Sequence, residues 1–205
     1  MASSPPKKLN IGSGKDFRPD YLNVDVTDYW SPDIVADVSA GFPSPEPYAT
    51  RRFGEIVLEP ASFDEIIAID VLEHVPDLVA TMTNCLALLR LGGVFNILVP
   101  HDLSFGAWQD PTHIRAFNER SWLYYTDWSW YLGWTQARFI VQKLEFIASP
   151  IGQDMLGRGA PVELVARTPR AVDSMQVSLE KVALNDADKA MLESLQARRV
   201  EQSKI

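Results

Sequence analysis

Short apolar runs recur through the first hundred residues, each closing on glycine, aspartate or proline. Lys8–Ile11, Tyr21–Val26, Ile34–Asp37, Glu65–Ile69 and Val94–Val99 read as strands. Ile66-Ile67-Ala68-Ile69 and Val94-Phe95-Asn96-Ile97-Leu98-Val99 are nearly continuous apolar stretches, the pattern of strands covered on both faces. Between them the period changes. Over Asp77–Leu91, Leu78, Met82, Cys85 or Leu86, and Leu89 fall on one side of a helix. Pro76-Asp77 suits its start and Leu91-Gly92-Gly93 its end. Strand, helix, glycine turn and strand make a βαβ unit, for which a right-handed crossover is expected. Only Lys15–Asp20, with Pro19 inside it, separates the first glycine turn from the second strand, which leaves room for one helical turn at most. Gly41–Ala61 carries Pro43, Pro45, Pro47 and Pro60 and reads as surface loop with a short irregular element.

The pattern changes after residue 100. Five of the six tryptophans (Trp108, Trp122, Trp128, Trp130 and Trp134) fall within His101–Trp134. Ala137–Ile147 and Val162–Arg167 then read as two strands of a closing antiparallel hairpin, joined through Gly152, Gly157 and Gly159. Beyond Pro169 the chain is polar, and Asn185-Asp186-Ala187-Asp188 is placed to cap a last helix with Met191 and Leu195 on one face. These readings predict a domain over residues 1–168, with an aromatic-rich insertion at 101–135, and a polar tail over 169–205 that is helical in part.

Composition narrows the partners. A chain of 205 residues suits one domain with a substantial core. The net charge of −8, with Lys7-Lys8, Arg51-Arg52 and Arg198-Arg199 as isolated pairs, argues against a nucleic-acid partner. The single cysteine, Cys85, excludes an internal disulfide framework, fits a reducing compartment and lies in an apolar helical pattern as a structural thiol. The opening Met1–Lys8 lacks the apolar core of a secretory signal, and no apolar run reaches membrane-span length. The expectation is a cytoplasmic protein with no membrane contact and a small-molecule partner.

Candidate chemistry begins at Leu9-Asn10-Ile11-Gly12-Ser13-Gly14, followed by Asp25 at the end of the second strand. Glycines let the backbone turn sharply and approach a ligand closely. A carboxylate at the neighbouring strand tip can accept both hydroxyls of a ribose. The pairing points to a nucleoside-containing ligand at the carboxyl edge of a parallel sheet. A nicotinamide dinucleotide fits poorly, because Lys15, Asp16 and Phe17 follow Gly14 and break the G-x-G-x-x-G spacing.

All three histidines lie at or just beyond strand ends on that same edge. Imidazole suits proton removal near neutral pH. His113, in Asp110-Pro111-Thr112-His113-Ile114-Arg115, is the first candidate for base or acceptor-positioning residue; His74 is the second, with helix capping as its other reading, and His101 reads as structural. Asp70, Glu73, His74, His101, Asp102, Asp110 and His113 are capable metal ligands but show no spacing such as H-x-x-x-H, so no metal site is expected. The aromatic segment suits either a lid over an acceptor pocket or a homodimer interface. Arg115 and Arg120 are candidates for an acceptor carboxylate or phosphate.

Several of these stretches together resemble class I S-adenosylmethionine-dependent methyltransferases: Asn10-Ile11-Gly12-Ser13-Gly14, Asn23-Val24-Asp25, Ala36-Asp37-Val38, Phe63–Val75 with its Asp70-Val71-Leu72-Glu73-His74, and Leu89-Arg90-Leu91-Gly92-Gly93. More narrowly, residues 7–117 resemble small bacterial methyltransferases of polysaccharide and secondary-metabolite pathways. The resemblance implies an α/β, Rossmann-like, open twisted seven-stranded sheet, mostly parallel with an antiparallel closing strand and helices on both faces. It implies S-adenosylmethionine as cofactor, with Asn10, Gly12, Ser13 and Gly14 along its methionine portion and Asp25 on the ribose. Asp37 and Val38 would then face the adenine, and Asp70 and Val71 the remaining side. His113 and His74 would serve an acceptor, expected to be an oxygen of a sugar or related metabolite. Two other readings stand beside this one: a non-catalytic module that keeps the cofactor pocket as a partner or regulatory subunit, and another nucleotide-dependent enzyme.

Overall fold

A computed structural model describes residues 5–202 of the chain. The amino-terminal half builds strands β1 (Lys8–Ile11), β2 (Leu22–Asp25) and β3 (Ile34–Val35), the small hairpin β4 (Tyr48–Thr50) and β5 (Gly54–Ile56), and then β6 (Phe63–Ile69). Helix α1 (Leu78–Leu88), β7 (Leu89–Pro100) and the short α2 (Gly106–Gln109) follow. The remainder comprises β8 (Ala137–Ala148), α3 (Pro150–Gly157), α4 (Val162–Arg167), β9 (Val172–Ala183) and α5 (Asp186–Gln202). No helix among the described residues is long and apolar enough to cross a membrane.

Seven strands form one sheet in the order β3-β2-β1-β6-β7-β9-β8. The five strands from β3 to β7 are parallel neighbours, while β9 pairs antiparallel with both β7 and β8. The lateral register places Leu9, Ile66, Phe95 and Leu179 in one row and Ile11, Ala68, Ile97 and Val177 in the next. All eight are essentially solvent-free, and Met82, Cys85 and Leu86 of α1 are buried with them in the same core. Burial pushes the Cys85 thiol well above its ordinary range, consistent with a structural role. The opposite rows are less apolar than the sequence suggests. Asn96 donates to Glu65 Oε1 (2.9 Å) and accepts from Ser178 Oγ (2.7 Å), and Val94, Asn96 and Leu98 are only half-buried.

Local chemistry explains the main boundaries. Asp77 caps α1 by accepting from the Ala80 amide at 2.8 Å. The helix stops at Leu88, before the glycine pair, and β7 starts at once. No helix forms over Lys15–Asp20, as the short Pro19-containing connection predicts. The proline-rich Gly41–Ala61 holds the β4–β5 hairpin.

The carboxyl-terminal third differs from expectation. Val162–Arg167 is helix α4, with Pro161 before it and apolar residues at Val162 and Val165, one helical turn apart. The second strand of the closing hairpin is β9, inside the segment read as a polar tail, so the sheet continues past residue 168. Its Met175, Val177 and Leu179 alternate with Gln176 and Ser178 and are fully buried. That period-two signal was present; the overall polarity of the segment obscured it. The last helix forms as α5, and Asn185 and Asp188 cap it reciprocally, each side chain accepting from the other's amide.

Candidate active site

The parallel strands end along one edge of the sheet. Chain order reverses between β1 and β6, and such a switch point opens a crevice at the carboxyl ends of the strands. A cleft of about 460 Å³ lies there, lined by Gly12 after β1, Asp25 at the end of β2, Ala36, Asp37 and Val38 after β3, and Asp70, Val71 and His74 after β6. A volume of this order accommodates a ligand of nucleoside size and larger.

Each wall of the cleft has a local cause. Gly12 adopts φ +62°, and a Cβ there would lie 2.4 Å from Cγ2 of Val71, so only glycine lets β1 turn beneath the β6 loop. The amide of Gly14 donates to Asp25 Oδ2 at 2.8 Å, while the amide and hydroxyl of Thr27 donate to Oδ1 at 2.9 and 3.2 Å. Asp25 is thereby held as an oriented carboxylate, with acceptor capacity left on Oδ2. Asp37 Oδ1 accepts from the amide and hydroxyl of Ser39 at 2.8 and 2.7 Å, which leaves its second oxygen for a ligand. Asp70 closes the row at φ +53°, a conformation rare for a residue with a side chain and one that concentrates at functional sites.

A second cleft, about 500 Å³, adjoins the first and shares Asp70 and His74 with it. Its other walls include Glu73, Asp110, His113 and Asp173. Two segments distant in sequence are clamped together to make it. The Ile114 amide donates to the Glu73 carbonyl at 3.0 Å, and the Arg115 guanidinium donates to the carbonyls of Leu72 (2.9 Å), Val75 and Pro76 (3.1 Å). The imidazoles of His74 and His113 meet edge to face at 4.5 Å as a result. Glu73 is 1% exposed, both of its carboxylate oxygens lack a hydrogen-bond partner, and Oε1 lies 4.0 Å from His113 Nε2. Burial, reinforced by the nearby Asp70 and Asp110, pushes its carboxyl up to about 7. Burial likewise raises Asp70, opposed by His113 and His74.

Residues 9–97 match the family model described as a methyltransferase domain. A curated Mycolicibacterium smegmatis protein, named a probable S-adenosylmethionine-dependent methyltransferase, is 32% identical over 88 residues. The match takes in 41% of this chain and 34% of that protein, so the alignment spans about a third of the relative's length. Among solved structures, a methyltransferase from Archaeoglobus fulgidus superposes with a TM-score of 0.58 at 14% identity, covering 86% of each chain. The cyclase SpnF superposes with a TM-score of 0.50 at 13% identity, covering 85% of this chain and 75% of its own. These likenesses establish the Rossmann-like fold.

S-adenosylmethionine is the cofactor named for the relative that residues 9–97 are similar to, and the first cleft fits it. A glycine cradle that a Cβ would fill and two part-free carboxylates at adjacent strand tips match an adenosyl group. Gly12, Asp25, Asp37, Val38, Asp70 and Val71 line the cleft together. Asn10 does not: its amide donates to the Asp16 carbonyl (2.8 Å) and Asn23 Oδ1 (3.0 Å), bracing the glycine loop from beneath. Ser13 is buried under the turn, and Gly14 acts through its bond to Asp25.

On the acceptor side His74 and His113 come together, whereas His101 does not. Its ring is buried against Phe146 and burial lowers its pKa, a structural environment. The Arg115 guanidinium is engaged with loop carbonyls and positions Glu73 and His74. The aromatic-rich segment lines the second cleft through Phe105, Asp110 and His113, but no tryptophan lines either cleft among the described residues. Trp122 stacks on Phe117 in the core, and Trp134 donates to Thr83 Oγ1 at 3.1 Å. Glu73, named in the sequence only among capable metal ligands, and Asp173, not named at all, are further residues of the second cleft. The first adjoins His74 directly; the second was hidden with the whole of β9.

Proposed function

We propose that the chain transfers the methyl group of S-adenosylmethionine to a small-molecule acceptor seated in the second cleft, at an oxygen of a sugar or related metabolite. The observation that carries this reading is the shared wall. Asp70 and His74 border both the adenosyl-sized cleft and the carboxylate- and imidazole-lined one.

When bound, the cofactor supplies a methyl group on a positively charged sulfur, a good neutral leaving group, so the protein's task is chiefly alignment and deprotonation. Gly12, Asp25 and Asp37 fix the adenosyl end. The acidic lining suits both the sulfonium and an acceptor rich in hydroxyl donors. His113 and His74 border the acceptor side and orient its oxygen. Asp70, exposed to both clefts, takes the hydroxyl proton and passes it to solvent.

Thermal-shift measurements with S-adenosylmethionine, S-adenosylhomocysteine and NAD test the reading. The two sulfur compounds raise Tm through linkage and NAD does not. No shift with either sulfur compound at millimolar concentration would refute it.

A further inference from the structure

Both imidazoles of the second cleft have a fixed tautomer. His113 Nδ1 sits 3.0 Å from the Ala107 carbonyl, which can only accept, so Nδ1 carries the hydrogen. The Thr112 hydroxyl gives its single hydrogen to Asp110 Oδ1 at 2.7 Å, so at 2.9 Å it accepts from His74 Nδ1. In the neutral ring, the Nε2 of each is then the nitrogen with the free lone pair. Such an outer hydrogen bond at one ring nitrogen orients the other as a metal ligand.

The carboxylate of Glu73 faces the same space. Its Oε1 stands 4.0 Å from His113 Nε2, too far for a hydrogen bond, and neither carboxylate oxygen has a partner. An interior carboxylate in that state is costly, and either a proton or a cation relieves it. Glu73, His74 and His113 each offer a ligand atom within 4.8 Å of the others. At ion-to-ligand distances of about 2.0–2.2 Å, tetrahedral ligands stand about 3.4 Å apart, so the set would close by roughly 0.5–1.5 Å around an ion.

We infer that Glu73, His74 and His113 together hold one divalent transition-metal cation at the junction of the two clefts, and that this cation takes the acceptor's hydroxyl oxygen as a further ligand. Two imidazoles and one carboxylate suit zinc, manganese or iron better than magnesium, and three protein ligands leave positions open for substrate. The inference rests on the methyl-transfer reading for the ion's use. Bound to the cation, the hydroxyl loses its proton to Asp70. Its oxygen lone pair then forms the new O–C bond while the C–S pair departs with the neutral thioether.

The test is calorimetric titration of the chelator-treated, full-length chain with Zn²⁺ and, separately, Mn²⁺, together with S-adenosylhomocysteine in the same preparations. One ion per chain is expected for at least one of the metals. Glu73→Gln should weaken it by about 100-fold or more, and Thr112→Val, which removes the outer bond to His74 along with the hydroxyl's bond to Asp110, by about tenfold. Glu73→Gln should fold, with metal-free Tm at or above that of the parent, and should lack the metal-induced rise in Tm. No saturable ion, or ion binding indifferent to Glu73→Gln, would overturn the site. Loss of S-adenosylhomocysteine binding alone would instead remove the methyl-transfer reading.

Discussion

At the residue scale, function and stability draw on carboxylates held in different ways. Asp25 accepts three hydrogen bonds from the loop it organises and keeps capacity for a ligand. Asp25→Ala should weaken S-adenosylhomocysteine by about 10- to 100-fold, the worth of about 1.5–3 kcal/mol for bonds to a charged acceptor. Calorimetry on the variant checks this. Asp33 has no ligand to serve. Its side chain is fully buried, bonded by Arg52 at 2.6 and 2.7 Å and by the Asn23 amide at 2.8 Å. Burial raises its pKa, but the bonds from Arg52 and Asn23 outweigh burial and leave it lowered. The unfolded chain therefore takes up this proton first. The Asp33 contribution is complete above the ordinary carboxylate range and disappears as pH falls through the folded value. Asp33→Asn should lower stability at pH 7 and flatten its decline below about pH 4. Urea unfolding at several pH values measures both effects.

At the element scale, the strand edge and the 110–115 segment divide the work. Arg115 ties that segment to the loop after β6 through three carbonyls. Arg115→Met should speed amide exchange across residues 72–76 and at Ile114 while the β6 and β7 amides stay protected, read by hydrogen exchange. β9 is the central support of the closing hairpin. Leu179→Ala, beside Phe95 and Val141, should cost about 2–5 kcal/mol in urea unfolding, a loss no polar tail residue would produce. The contrast shows what the sequence carried. Strands β1, β2, β6 and β7 and helix α1 were legible because apolar runs and capping residues mark them locally. Gly12, Asp25, Asp37 and Asp70 followed, since a strand tip is a position along the chain. β9 was obscured because polar residues occupy its other face. The meeting of Glu73 and His74 with His113 could not be read from spacing, because 39 residues and a carbonyl clamp separate the partners.

At the scale of the whole molecule, one sheet places everything on one edge. Parallel order brings the tips of β1, β2, β3, β6 and β7 to the same side, and the antiparallel β9 sends its start there too, which is how Asp173 reaches the second cleft. The net charge of −8 fits this concentration of acidic groups at the ligand edge. Calorimetric titration of the full chain with S-adenosylhomocysteine probes the arrangement most directly, alongside Gly12→Ala, whose Cβ would strike Val71. One molecule bound per chain, with binding abolished or sharply weakened by Gly12→Ala, is the expected result. No binding to the parent chain, or equal binding to both, would contradict an adenosyl site between β1 and β6.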